Sequence, residues 1–456
     1  MKLRSLLSFW SIFCLLDNVQ AMCLASPDIT LFLQRSSINR QAPLWQIAGQ
    51  APYNRHNRYT DLAVKYQQRG ALIADKLLLD IAVYGLANFS DKAAGQFERD
   101  DHQIKLLIDQ LNVSSQLSDK VRIEVGKHHF NPGLFYLKSP ANLLNSYYAG
   151  FKSSRFYEPT LQQAYMPTFW RSELIAETAN YTLSLVVVPK LAQRDKRYIS
   201  ASNWSAIKRT NAAEGYLFTY TDYRFEKNTP SLNLKLGHFG SLALSNSYQW
   251  SSQWVINSEL AYHAKQQWRH LDSEYTAQAM GYQFPTSLYQ THKKSGVELA
   301  LGMQYTSDNF SQFGLEYYFQ GEGYSQTQWD KQVNLIHFFN QKMYSKPLSK
   351  AFDDYQYLMA AEIDNISNQG YFQRKHYLNG YASIELNSHA RLQSYMVLNL
   401  RDQSVLMNIN YSQILDSTER KVEIYTGLNS TLGRRDSEFG LFGENIGVYF
   451  GFKYHL

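Results

Sequence analysis

Two adjacent pairs of titratable residues are the first candidates for chemistry in this sequence. His128 and His129 offer imidazole nitrogens that can bind a transition metal, and Asp353 and Asp354 offer paired carboxylates suited to acid catalysis. Adjacent residues on a strand point to opposite faces, so neither pair can act at one site if it lies on a strand. We interpret the histidines as structural or solvated groups and the aspartates as part of a polar loop.

No motif for enzymatic chemistry supports either pair. The sequence has no GxSxG, HExxH, Walker-type loop or GxGxxG followed by a helix. Its two cysteines, Cys14 and Cys23, both lie near the N-terminus, so the body of the chain has no disulfide framework and no thiolate metal site. A serine–histidine pair formed by contacts between strands would leave no trace in sequence spacing. We predict that the protein is not an enzyme and has no catalytic residues, cofactor or metal.

The composition is that of a folded chain rich in aromatic residues. Among 456 residues there are 34 Tyr, 25 Phe and 8 Trp, whereas a disordered chain would lack them. The formal charge is 45 − 39 = +6, and the basic residues are spread evenly along the chain. A protein that binds nucleic acid should have clustered basic residues, so we predict no nucleic-acid partner.

The first 21 residues have the organisation of a secretory signal peptide. Lys2 and Arg4 precede a short apolar stretch at residues 6–16, and small residues near Ala21 provide a cleavage site. The apolar stretch falls short of the ~20 residues that a membrane-spanning helix needs. The mature chain is therefore expected to be exported, either as a soluble protein or as a β-barrel in a membrane.

Alternation of apolar and polar residues favours the barrel. Residues 296–306 place Val297, Leu299 and Leu301 on one face and Glu298 and Ala300 on the other, and similar segments recur through residues 214–456. An antiparallel sandwich with one buried face is the alternative, but its strands are usually shorter. We predict an all-β fold, a transmembrane antiparallel up-and-down β-barrel of about 16 strands, within a range of roughly 14 to 18.

Three segments follow from this interpretation: a signal peptide at residues 1–21, an N-terminal periplasmic or lumenal segment at residues 22–56, and the outer-membrane barrel at residues 57–456. Within the barrel, residues 76–89 could form strand or buried helix. Residues 131–178 are irregular and rich in aromatic residues, which is consistent with a loop folded into the lumen or with a packed external loop.

The C-terminal strand carries the one specific motif. Apolar residues alternate up to the last position of the chain, at Val448, Phe450, Phe452, Tyr454 and Leu456. This pattern resembles the assembly signal of Gram-negative outer-membrane proteins, although Leu456 stands where those proteins usually have Phe or Trp. The resemblance implies export to the Gram-negative outer membrane, with outer-membrane lipid, lipopolysaccharide and the barrel-assembly machinery as partners.

A narrower resemblance concerns a hairpin and the segment after it. Residues 125–127 (VGK), 130–133 (FNPG) and 139–140 (SP) are similar to a strand end in alginate-export-like and exporter-associated outer-membrane barrels. That likeness implies an export component, with an inner-membrane export system as a further partner.

Charged residues opposite the predicted lipid face are candidates for the lumen. They are Arg122, Glu124, Lys235, Glu259, Glu298, Glu385, Arg391, Arg401, Lys421, Glu423 and Lys453. Mixed charges suit a hydrated pore, or they can pair with one another and fill a closed barrel. We predict an outer-membrane channel or transport and export component that passes a small polar or anionic solute. The alternative is a barrel scaffold that displays extracellular loops as an adhesin or receptor.

Overall fold

The alternating segments form long antiparallel strands in the computed structural model. It describes residues 23–45, 58–73, 77–90, 102–129, 133–144, 168–192, 211–237, 240–368, 371–417 and 420–456. The predicted signal peptide lies outside these residues, as do residues 145–167 of the irregular segment 131–178.

Eighteen strands form the wall of a closed barrel. They are β2 (Asp28–Arg40), β3 (Arg58–Ile73), β4 (Leu77–Ser90), β5 (His102–Ser118), β6 (Val121–His128), β7 (Phe169–Glu177), β8 (Tyr181–Val188), β9 (Gly215–Asp222), β10 (Asn228–Gly237), β11 (Ser241–Gln249), β12 (Trp254–His263), β15 (Gly296–Thr306), β16 (Gln312–Gln320), β17 (His376–Asn387), β18 (Ala390–Asn399), β19 (Val405–Ser417), β20 (Arg420–Leu432) and β21 (Glu444–His455). Each strand pairs with its neighbour in the chain, and β2 pairs with β21 to close the barrel. A short β1 (Cys23–Leu24) adds to the end of β3.

The outer face of the wall is apolar, as the last strand shows. Val448 and Phe450 are 50% and 57% exposed, whereas Tyr449 between them is 3% exposed and points inward. The same alternation recurs on β12, β15 and β18. A closed barrel with an apolar outer face satisfies its backbone groups internally and can face lipid. The predicted fold class is confirmed, with a strand number at the upper end of the predicted range.

The N-terminal part of the barrel corrects the predicted division of the chain. Residues 28–40, which the sequence assigns to a periplasmic or lumenal segment, form β2 and complete the wall. Phe32 and Ile38 are buried on the inner face of β2, while Arg35 and Ser37 are exposed on its outer face. Because neither face is uniformly apolar, the sequence of β2 shows no clear period.

The connections differ between the two rims of the barrel. One rim has short turns, such as residues 119–120 and 388–389, and the other carries the long connections 264–295 and 321–375. Long loops are extracellular in barrels of this type, which places the rim with the long connections outside the cell. The other rim then faces the periplasm.

Three helices lie in these long connections. The β12–β15 connection holds β13 (His270–Leu271), α1 (Ser273–Met280) and β14 (Tyr289–Gln290), and the β16–β17 connection holds α2 (Gln326–Phe339) and α3 (Lys346–Asn368). Asp353 and Asp354 therefore lie on a helix and not in the predicted polar loop. None of the described helices is long and apolar enough to cross a bilayer.

A hydrophobic cluster joins the extracellular connections into one layer, here called the cap. Its buried side chains include Trp268 from the β12–β15 connection and Trp329, Phe339 and Phe352 from α2 and α3. Leu441, from the β20–β21 connection, packs into the same cluster. The cap is therefore a packed structure rather than a set of independent loops.

The first testable prediction concerns the two faces of β18. Met396 is exposed on the outer face near the middle of the strand, and a lysine facing lipid at that depth costs about 2–4 kcal/mol. Met396→Lys should lower the free energy of unfolding in vesicles by that amount. Gln393→Lys on the inner face of the same strand is the control and should unfold like the wild type. Equal stability of the two variants would contradict the assignment of faces.

Candidate functional site: a loop held inside the barrel

Residues 133–144 of the β6–β7 connection lie inside the barrel. Phe135 and Leu137 pack with inner-face residues of β15 to β19. Further along the segment, Ala141 and Leu143 pack with buried residues of β8, β9, β11 and β12, the part of the wall that adjoins β15. The segment, here called the inner loop, therefore lies inside the lumen along one continuous arc of the wall, from β8 to β19.

Glu259 attaches the inner loop to β12. Its carboxylate accepts hydrogen bonds from Leu134 N at 2.6 Å, Ala141 N at 2.9 Å and Ser139 Oγ at 2.5 Å. The side chain of Glu259 is 1% exposed. Backbone N–H groups that leave water need an acceptor, and a carboxylate is a strong one.

Glu316 plays the same part on β16. It accepts from Tyr136 N at 2.8 Å, Leu137 N at 3.2 Å and Asn379 Nδ2 at 2.7 Å. Glu316 is not among the charged residues that the sequence predicts in the lumen. The alternation of Glu316 with Tyr318 in residues 312–320 is the signal that could have identified it.

The wall is shaped to receive the inner loop. A Cβ atom on Gly302 would lie 2.9 Å from Phe135 Cε1, so the absence of a side chain there makes room for the phenyl ring. Lys235 on β10 donates from Nζ to Leu143 O at 2.9 Å and satisfies a carbonyl at the far end of the loop. Glu259, Glu316, Lys235 and Gly302 thus fix the loop at several points.

Lys138 is the charged residue at the centre of the inner loop. It is buried, and its ammonium lies 4.9 Å from the centre of the Tyr371 ring. Burial lowers the pKa of Lys138 to about 8. The negative charge of Glu298 and Glu322 raises this pKa and so opposes the effect of burial. The inner loop therefore places a cation between the wall and the cap.

A second charged group lies on β6 and β7. His128 Nε2 is 3.2 Å from Glu124 Oε2 and 3.6 Å from Glu173 Oε2. These three residues could provide ligands for a metal ion, since their ligand atoms lie within 4.8 Å of one another. Arg171 Nε, however, donates to His128 Nε2 at 2.7 Å, and Arg171 also pairs with Glu173 at 3.0 Å. The Arg171 guanidinium therefore already supplies the positive charge that a metal ion would bring to these carboxylates.

His129 has a different partner, Asp109 on β5, at 2.9 Å. The two adjacent histidines therefore do not converge on one group. Sequence spacing did not indicate Arg171 and Glu173, because they come from the strand beyond a long connection.

Six of the remaining charges predicted for the lumen form local ion pairs. Arg122 contacts Glu124 at 3.0 Å, Arg391 contacts Glu385 at 2.5 Å and Lys453 contacts Glu423 at 2.9 Å. Glu298 is buried on the inner face and accepts from Gln267 Nε2 at 2.9 Å, while Lys421 is exposed at the periplasmic end of β20.

Arg401 corrects the sequence assignment. The sequence places it on a strand facing the lumen, but β18 ends at Asn399 and Arg401 lies exposed in the next turn. Asn399 donates to Glu438 at 2.8 Å and accepts from Arg401 N at 2.9 Å, which ends the strand before Arg401 is reached.

An aromatic pair faces the space that the inner loop leaves open. Tyr136 stacks on Tyr381 with ring centroids 4.8 Å apart, and Tyr136 remains 47% exposed. The backbone of Tyr136 is fixed by Glu316, so its ring has a defined position in the lumen.

The closed 18-stranded wall and its apolar outer face define an outer-membrane β-barrel with a loop held inside it. Among solved structures, the chain is similar to Acinetobacter baumannii OccAB1, with a TM-score of 0.50, 9% identity, and coverage of 94% of this chain and 96% of that chain. It is also similar to Pseudomonas aeruginosa OccK5 (OpdH), with a TM-score of 0.48, 10% identity and coverage of 94% and 98%. No family model and no curated protein matches the chain. At this identity the likeness concerns the fold.

The second prediction tests the attachment of the inner loop. Glu259→Ala removes the acceptor of two backbone N–H groups, and a hydrogen bond to a charged group contributes about 1.5–3 kcal/mol. The amide of Ala141 should then exchange its hydrogen at least about tenfold faster, as measured by hydrogen–deuterium exchange.

Glu385→Ala is the matched control for this experiment. It removes a carboxylate from a partly exposed ion pair with Arg391 beside the periplasmic turn, so exchange at Ala141 should not change. Unchanged exchange in Glu259→Ala as well would show that Glu259 does not hold the loop.

Proposed function

We propose that the protein is an outer-membrane channel, or transport and export component, that passes a small polar or anionic solute. The observation that carries this proposal is the inner loop, which lies inside the lumen and packs along the wall from β8 to β19. Barrels of about 16 to 18 strands are wide enough for an aqueous channel. A loop fixed inside such a barrel narrows the path that is open to a solute.

The distribution of charge supports a polar or anionic solute. Glu259 and Glu316 are occupied by backbone groups of the inner loop. Within the described part of the chain, the Lys65 ammonium on the inner face of β3 makes no hydrogen bond or ion pair. Fixed positive charge along a pore favours the passage of anions.

A display scaffold is the second candidate. The cap, with its helices and aromatic cluster, is the observation that favours it, because a rigid extracellular surface suits an adhesin or receptor. A scaffold needs no continuous water path, so conductance separates the two functions.

The partners expected from the sequence remain part of the proposal. Outer-membrane lipid and lipopolysaccharide would contact the apolar outer face, and the barrel-assembly machinery would recognise the C-terminal strand. An inner-membrane export system is a partner only for the export form of the function.

The third prediction concerns conductance. The purified protein should form channels in planar bilayers, and Tyr136→Ala should raise single-channel conductance because it removes an exposed ring from the lumen. Tyr216→Ala is the control, since Tyr216 is exposed on the outer face, and should leave conductance unchanged. A silent trace from folded protein would favour the scaffold.

The fourth prediction concerns assembly. Val448, Phe450 and Phe452 present an apolar face to the outside of the barrel, with Tyr454 and Leu456 at the end of the chain. Tyr454→Ala combined with deletion of Leu456 should reduce the amount of heat-modifiable protein in the outer membrane. Lys453→Gln, on the inner face of the same strand, should have a smaller effect on the amount assembled. Wild-type levels of the double variant would show that the strand is not an assembly signal.

A further inference from the structure

A cavity of about 660 Å³ lies at the extracellular rim, outside the inner loop. It is enclosed by α1 and α2 and by the segments that leave β16 and enter β17. Trp268 and Tyr324, which belong to the packed core of the cap, lie in the two connections that form its walls. Since the walls are parts of that core, the cavity is formed before any ligand arrives.

Three lysines line this cavity from three different segments. Lys294 precedes β15, Lys331 lies on α2, and Lys375 precedes β17. Within the described residues, none of the three ammonium groups makes a hydrogen bond or an ion pair. Three lysines thus line one space, and within the described residues none of them is paired with an acidic side chain.

The acidic residues of the cavity are fewer than its lysines, and only Asp272 has a pKa below its ordinary value. Asp272 caps α1, accepting from Glu274 N at 2.9 Å and Tyr275 N at 3.1 Å. Glu322 accepts from Gln267 N at 2.9 Å, and burial raises the pKa of Glu322 to about 8. Burial thus favours the uncharged form of the Glu322 carboxyl.

Of the two histidines in the lining, His270 adds little charge. Burial lowers the pKa of His270 to about 4, so its ring is neutral at physiological pH. His292 lies 3.6 Å from Asp272 and faces the carboxylate that caps α1. The cavity consequently has a net positive charge that comes from the three lysines.

The side chains of the lining identify the kind of anion. The cations among the described lining residues are lysines, which bind tetrahedral phosphate as point charges. Thr276, Gln328 and Asn334 add hydroxyl and amide groups that can bind the hydroxyls of a ligand. We propose that this cavity is a binding site for a small phosphate monoester rich in hydroxyl groups, such as a sugar phosphate.

The transport of the bound ligand through the barrel rests on the proposed channel function, whereas binding at the cavity does not. A site at the extracellular rim raises the local concentration of its ligand beside the lumen, which is useful if the ligand then passes through the barrel. Binding itself requires no open pore and can be measured independently.

Isothermal titration calorimetry of the full-length protein in detergent tests the proposal. Glucose 6-phosphate is the probe, and glucose, inorganic phosphate and succinate are compared with it. Glucose 6-phosphate should bind at least tenfold more tightly than each of the other three. Absence of binding, or equal binding of succinate or inorganic phosphate, would overturn the proposal.

Variants locate the binding at the cavity. Lys331→Gln combined with Lys375→Gln should weaken the binding of glucose 6-phosphate at least tenfold. Lys293→Gln is the control, because Lys293 neighbours Lys294 in the same connection but does not line the cavity, and it should change the affinity less than twofold. If Lys293→Gln weakened the binding of glucose 6-phosphate as much as the double variant does, binding would not be at this cavity.

A conductance measurement on the same proteins separates this proposal from the channel. Binding with a silent bilayer trace would support the cavity and contradict the channel. Conductance without binding would support the channel and overturn the cavity.

Discussion

The acceptance of backbone N–H groups by buried wall carboxylates is the interaction on which the interior of this barrel depends. A segment of chain that enters the lumen loses water, and its N–H groups need other acceptors. Glu259 and Glu316, on β12 and β16, supply them to four amides of the inner loop. The loop can therefore lie inside the barrel without regular secondary structure.

The same arrangement recurs where the β20–β21 connection meets the wall. Glu438 accepts from Gln373 N at 2.7 Å, Tyr377 Oη at 2.6 Å and Asn399 Nδ2 at 2.8 Å. Glu438 belongs to a connection and accepts hydrogen bonds from side chains of β17 and β18. Glu259, by contrast, belongs to the wall and accepts hydrogen bonds from a loop. In both cases a buried acid attaches an extracellular connection at a defined place, and leaving such an acid without its partners would be costly.

The wall could be predicted from the sequence because each strand must place apolar residues at its lipid-facing positions, whatever its neighbours are. Alternation on β15, β18 and β21 needs no knowledge of neighbouring strands. β2 was not predicted, because Arg35 and Ser37 interrupt the run of apolar residues on its outer face. The helices α2 and α3 were not predicted either, since their apolar residues pack within the cap and not against lipid. The interior could not be predicted because its contacts join residues far apart in the chain. An inward glutamate has the same sequence pattern whether it faces water or accepts from the inner loop, as Glu259 does.

The inner loop and the cavity at the rim belong to one network of buried polar groups. Gln267 donates from its backbone to Glu322 and from its side chain to Glu298, and it accepts from the Tyr371 hydroxyl at 3.4 Å. Lys138 lies against the Tyr371 ring, and the carboxyl groups of Glu298 and Glu322 both raise the pKa of its ammonium. Electrostatic interactions between buried groups are weakly screened, so ionisation of Glu322 favours the charged form of Lys138. The charge of Glu322 at the extracellular cavity and the charge of Lys138 in the inner loop are therefore coupled.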